Sequence, residues 1–154
     1  MICNCALDLL EEGDMVKMNM VKQIFVNLPV KDLGKSKEFW TKLGFTFNPQ
    51  FTDEKGAGMN IGDNIYAMLL TEPFFKTFTK KEIGDPMTTA QVINALSVES
   101  REKVDEIARK AVESGGKIHR EPQDYGWMYG QSIEDPDGHI WEFFYMDESK
   151  KPKH

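Results

Sequence analysis

The chain says nearly the same thing twice. Gln-Ile-Phe-Val-Asn-Leu-Pro-Val-Lys-Asp-Leu at 23–33 is echoed by Gln-Val-Ile-Asn-Ala-Leu-Ser-Val-Glu-Ser-Arg at 91–101, with Val30 and Val98 as anchors 68 residues apart. A unit that cannot bury its own apolar face must stack on its copy, and ligands tend to bind where elements meet. A solenoid needs three or more shorter copies, so two long ones predict a pseudo-twofold domain around a shared cleft.

Each copy opens on a β-branched, apolar strand and runs into a helix. After the first strand, Asp32 is placed to cap a helix with Phe39, Trp40 and Leu43 on one side, and Gly44 stops it. Strands follow at 45–48, 57–60 and 65–70, separated by turn signals at 53–56 and 62–63. In the second copy Ser100 is the N-cap. Val104, Ile107, Ala108, Ala111 and Val112 form one apolar stripe that ends at Gly115-Gly116, and strands fit 117–121, 127–133 and 139–145. Both copies therefore read β-α-β-β-β.

The expected layout is an amino-terminal extension over 1–20, one domain over 21–148, and a loose basic tail at 149–154. Within the domain, module one spans 22–71, a linker 72–89 and module two 90–147. The linker is marked by Pro73, Gly84 and Pro86, and Phe74, Phe75 and Phe78 are read as pinning it to the body. A length of 154 residues suffices for one real core, and 40% hydrophobic with 29% charged residues is ordinary for a globular protein. A net charge of -6 disfavours nucleic acid, and no apolar run approaches the roughly 18 residues of a membrane span. The two cysteines, Cys3 and Cys5, match neither a zinc nor a redox spacing and suggest a reducing, cytoplasmic setting.

These residues carry a resemblance. Leu-Pro-Val-Lys-Asp-Leu at 28–33, Ser36-x-x-Phe39-Trp40-x-x-Leu43-Gly44-Phe45, the repeat over 98–116, and Asp-Pro-Asp-Gly-His-Ile-Trp-Glu at 135–142 resemble the vicinal oxygen chelate superfamily. That superfamily includes glyoxalase I, extradiol dioxygenases and the bleomycin and fosfomycin resistance proteins, and the likeness is greatest to its small bacterial glyoxalase-like members. The resemblance implies an α+β fold of two βαβββ modules whose mixed sheets form a half-open cup with helices outside. It also implies a homodimer, and often a divalent metal at the base of the cup.

Family members that bind metal place ligands on the first and fourth strands of each module. Counting back five residues from Val30 and Val98 gives Phe25 and Ile93, which cannot coordinate anything. Aligning Ile65-Tyr66 with Ile140-Trp141 sets Ala67 opposite Glu142, and a slip of one position substitutes Met68 without adding an oxygen. A single carboxylate seldom holds a labile divalent cation, so no metal and no other cofactor is expected. A divalent metal remains the alternative.

Strand alternation puts Ile140, Glu142 and Phe144 on one face and Trp141, Phe143 and Tyr145 on the other. If helices cover the second face, Glu142 points into the cup. Burial there would raise its pKa, as suits a general acid or base; the plainer alternative is a hydrogen bond to a neighbour such as Asn27. The expected ligand-binding set is Phe25, Asn27, Ala67, Ile93, Ala95, Trp127, Tyr129, Ile140 and Phe144, with the phase of Trp127 and Tyr129 open. His139 reads as a turn or interface residue, and Arg120 beside His119 can mark an anionic group. Two functions follow. One is binding of a small, partly apolar organic ligand without metal, and the other is a glyoxalase-like lyase, isomerase or dioxygenase that uses Glu142 or a metal.

Overall fold

The computed structural model describes residues 20–153, so the extension expected over 1–20 lies, apart from Met20, outside the described residues. The first module runs β1 (Ile24–Val30), α1 (Leu33–Lys42), β2 (Thr46–Thr52), β3 (Gly56–Gly62) and β4 (Ile65–Thr71). A short helix α2 (Glu72–Phe75) and a 3₁₀ turn (Lys76–Phe78) open the linker. The second module then runs β5 (Ile93–Ser97), α3 (Arg101–Glu113), β6 (Lys117–Asp124), β7 (Met128–Glu134) and β8 (Ile140–Met146). A second 3₁₀ turn (Glu148–Lys150) follows β8, with the Asp147 side chain accepting from the Ser149 N–H, so the tail starts as an ordered turn.

The result is an α+β fold of two four-stranded mixed sheets, ordered β1-β4-β3-β2 and β5-β8-β7-β6. In each sheet the module's first strand pairs in parallel with its fourth, and the other pairings are antiparallel. The repeat survives in three dimensions because the same local signals act twice. Asp32 Oδ1 accepts from the Lys35 N–H at 3.0 Å and Ser100 Oγ from the Lys103 N–H at 3.1 Å, so each helix starts on a side-chain cap. Gly44 ends α1 at φ +102°, a backbone conformation that is strained for residues with a Cβ.

Helices α1 and α3 each cover one face of their own sheet. Val26, Leu28 and Val30 of β1 turn that way, as do Ala67 and Leu69 of β4 and Trp141 and Phe143 of β8, and all of them belong to or pack on one core cluster. Trp40 on α1 meets Trp141 on β8 with ring centres 4.6 Å apart, and Phe45 lies 6.3 Å from Phe143. The two modules are thus sealed into one body through their helix-covered faces. A second joint is polar. The β7–β8 turn presents Asp137, 7% exposed, whose Oδ1 accepts from the Lys31 N–H at 2.8 Å and whose Oδ2 accepts from Ser36 Oγ at 3.0 Å. This explains why a serine sits buried on the core side of α1.

Candidate functional site

The helix-free faces of the two sheets carry most of the expected site. On the first, Phe25 stacks on Tyr66 with ring centres 4.8 Å apart and planes 17° apart, beside Asn27 and Met68. On the second lie Ile93 and Ala95 of β5 with Ile140, Glu142 and Phe144 of β8, which share a face by the parallel register. Phe25 is 41% and Ile93 56% exposed, so within one chain these faces are open and do not seal a cleft between them.

Glu142 is not buried among apolar groups. Its side chain is 24% exposed, Ser132 Oγ donates to its Oε2 at 3.4 Å, and Arg120 Nη2 lies 3.6 Å from the same oxygen. Register explains the cluster, since Ser132 pairs with Glu142 and Arg120 with Ser132. Asn27 is no part of it, its amide donating instead to the Phe25 carbonyl at 3.4 Å.

Two expected residues face the other way. Ala67 is fully buried in the core, because it pairs with Val26 on the helix-covered side. The register sets Met68 against Asn27 and Glu142 against Ala95, and Asn27 and Ala95 are counterparts in the repeat. Met68, not Ala67, is therefore the counterpart of Glu142. Tyr129 also points to the helix side, where its hydroxyl donates to Asp105 Oδ1 at 2.6 Å and the Arg101 guanidinium sits 5.0 Å from its ring centre. The hydrogen bond to Asp105 is the main reason its pKa is pushed up to about 12, with burial adding to it. Gly130 and Ser132 of β7 fall on the helix-free face, and Met128 shares their phase. Trp127 precedes β7 and is tied to the end of β8, its carbonyl accepting from the Asp147 N–H at 2.7 Å.

The register carries the four strand positions that the family resemblance implies for metal ligands onto Phe25, Met68, Ile93 and Glu142, with one oxygen donor among them. Among the described residues no three His, Cys, Asp or Glu side chains converge. This donor set does not fit a divalent cation, which takes several oxygen or imidazole ligands.

A cavity of about 350 Å³ lies along the edge strands β1 and β5, under the linker. From the expected site it takes only Asn27 and Ile140, and it adds Asn94, His139 and linker residues. Sequence reasoning passed over Asn94, although the repeat signals it, because it stands where module one has Val26. His139 joins the modules by donating from Nε2 to the Pro29 carbonyl at 2.7 Å. Just behind it, burial pushes Asp135 up to about 6. The charge of His139 and the Trp141 Nε1–H bond at 3.0 Å act in the opposite direction.

The model of the Glyoxalase/Bleomycin resistance protein/Dioxygenase superfamily matches residues 22–143. No curated protein matches the chain. Among solved structures, the chain is similar to a hypothetical protein, SA1046, from S. aureus, with 29% identity, 85% of this chain and 98% of that one covered, and a TM-score of 0.71. A glyoxalase-related enzyme from Fulvimarina pelagi is 19% identical, over 81% of this chain and 88% of that one, at a TM-score of 0.69. The bleomycin resistance determinant encoded on transposon Tn5 is 20% identical, over 82% and 99%, at 0.57. At these lower identities the likeness is one of fold.

Proposed function

The chain belongs to the Glyoxalase/Bleomycin resistance protein/Dioxygenase superfamily, and from that premise we infer that it binds a small, partly apolar organic compound without a divalent metal. The observation that carries this reading is the set Phe25, Met68, Ile93 and Glu142, three greasy positions and one carboxylate that already faces Arg120 and Ser132. Such a surface recognises a ligand by apolar and aromatic contact with a few fixed polar points. Each helix-free face is open in one chain, so a homodimer that lays one sheet against the partner's other sheet supplies the second wall. Among the described residues no helix is long and apolar enough to cross a membrane, and the setting that accords with this reading is the cytoplasm.

One observation favours a second, catalytic reading. Arg120 stands 3.6 Å from Glu142, so a carboxylate able to take a proton next to a carbonyl has a cation beside it to face the developing oxyanion. Metal analysis of purified protein, sedimentation, and thermal shifts with planar aromatic acids, amides and 2-oxoaldehydes test both. Metal-free dimers stabilised by aromatic compounds support binding. Stabilisation at 100 times Kd amounts to about 2.7 kcal/mol. Turnover of a 2-oxoaldehyde adduct that disappears in both Glu142→Gln and Arg120→Met supports the catalytic reading. Stoichiometric metal lost on Glu142→Ala overturns the metal-free assignment.

A further inference from the structure

The cavity under the linker shares only Asn27 and Ile140 with the helix-free faces, and we propose that it is a second binding site, for a small neutral compound bearing a carbonyl or amide group. Its case begins with the repeat. In β1 the core-facing residues are Val26, Leu28 and Val30, and their copies in module two are Asn94, Leu96 and Val98. Two of the three copies stay aliphatic and pack on the core, while the third becomes an amide. Asn94 is half-buried, lines the cavity and makes no side-chain hydrogen bond among the described residues. The amide atoms of Asn94 are not buried, so they are accessible in the cavity to a hydrogen-bonding partner where module one offers only an aliphatic side chain.

The rest of the wall fits the same occupant. Phe75, Ile83 and Ile140 supply apolar surface, and Asn27 keeps its Oδ1 free after its amide donates to Phe25. Pro29 offers His139 only an acceptor, so Nε2 carries a ring proton. The charged lining residues, Lys81 and Glu82, are exposed on the linker, and no buried cation waits for a carboxylate. The volume, about 350 Å³, falls at the small end of ligand pockets, which run roughly 300–1,000 Å³.

The roof is built rather than draped. Asp85 accepts from the Met87 N–H through Oδ1 at 3.0 Å and from the Thr89 N–H through its carbonyl at 2.9 Å, so the linker holds its own turn. Lys76 Nζ donates to the Lys81 carbonyl at 2.6 Å. The linker then rests on Gly138, at φ +96°, where a Cβ would come within 2.8 Å of the Met87 nitrogen. Only glycine permits both that backbone angle and that approach.

The test uses benzamide as the probe, with toluene and benzoate as controls, titrated into the ¹⁵N-labelled full chain and followed by NMR. Benzamide is expected to shift the side-chain amide signals of Asn94 and the backbone signals of Ile83 and His139. Toluene and benzoate are expected to bind about tenfold more weakly, the worth of one good hydrogen bond. Asn94→Val restores the residue that module one carries at this register and is expected to weaken benzamide about tenfold; Asn94→Ala repeats the measurement if the valine variant misfolds. Equal binding by the folded variant, equal binding of toluene, or no shifts with millimolar benzamide overturns the proposal. Shifts at Phe25, Ile93 and Glu142 instead place the ligand on the helix-free faces, which overturns the second site and leaves the reading of those faces standing.

Discussion

Removing the carboxylate of Asp137 tests whether the two modules are held by a polar joint as well as by the core. Asp137→Ala deletes two acceptors at once, leaving the Lys31 N–H and the Ser36 hydroxyl without their bonds of 2.8 and 3.0 Å. Ser36 is 2% exposed, so water cannot replace its partner without disturbing α1. Hydrogen bonds to a charged group contribute about 1.5–3 kcal/mol each, and the relief of Asp137's own desolvation offsets part of that. The net expected loss is about 2–4 kcal/mol, read as a lower urea midpoint at unchanged m. Asp137→Asn keeps one good acceptor and is expected to lose about half as much. Ser36→Ala and the double variant close a cycle, with a coupling of at least ~0.5 kcal/mol expected for groups in direct contact. A loss below ~1 kcal/mol for Asp137→Ala, or a coupling of zero, would show that the joint is incidental and the aromatic core alone binds the modules.

Trp141→Ala is expected to cost about 3–5 kcal/mol and to leave a single unfolding transition, because Trp141 packs on Trp40 of the other module; two separated transitions by circular dichroism would contradict a common core. Tyr129→Phe is expected to lose about 0.5–1.5 kcal/mol through its bond to Asp105 and to leave ligand affinity on the helix-free faces unchanged, measured by calorimetry. Asp135 binds its proton more tightly in the folded state, at about 6 against 3.8 for the free side chain. Its contribution is therefore full below about pH 4 and is lost as pH rises through about 6. Urea midpoints of the wild type should accordingly fall relative to those of Asp135→Asn across that window, and parallel pH profiles would refute the assignment.

Some of the site was legible because its cause is local. Alternation along β8 put Glu142 on the opposite face from Trp141 and Phe143, and the structure has those two in the core. The caps at Asp32 and Ser100 and the stop at Gly44 act within a few residues, so the helices could be read directly. The facing of Ala67 is opposite to the expectation, and that of Tyr129 was open, for one shared reason. Their faces depend on which residue lies across the sheet, and no periodicity inside a short strand reveals its register.

The sequence by itself determined two βαβββ units and their order, since pattern and residue identity suffice for these. Only the tertiary structure decided that Met68 is the counterpart of Glu142, that Arg120 and Ser132 gather around it, and that the β7–β8 turn and the linker enclose a cavity beside Asn94. These depend on strand register and on contacts such as Lys31 to Asp137, 106 residues apart in the chain. Burial and hydrogen bonding select such contacts among distant segments, and local propensity carries no record of that selection.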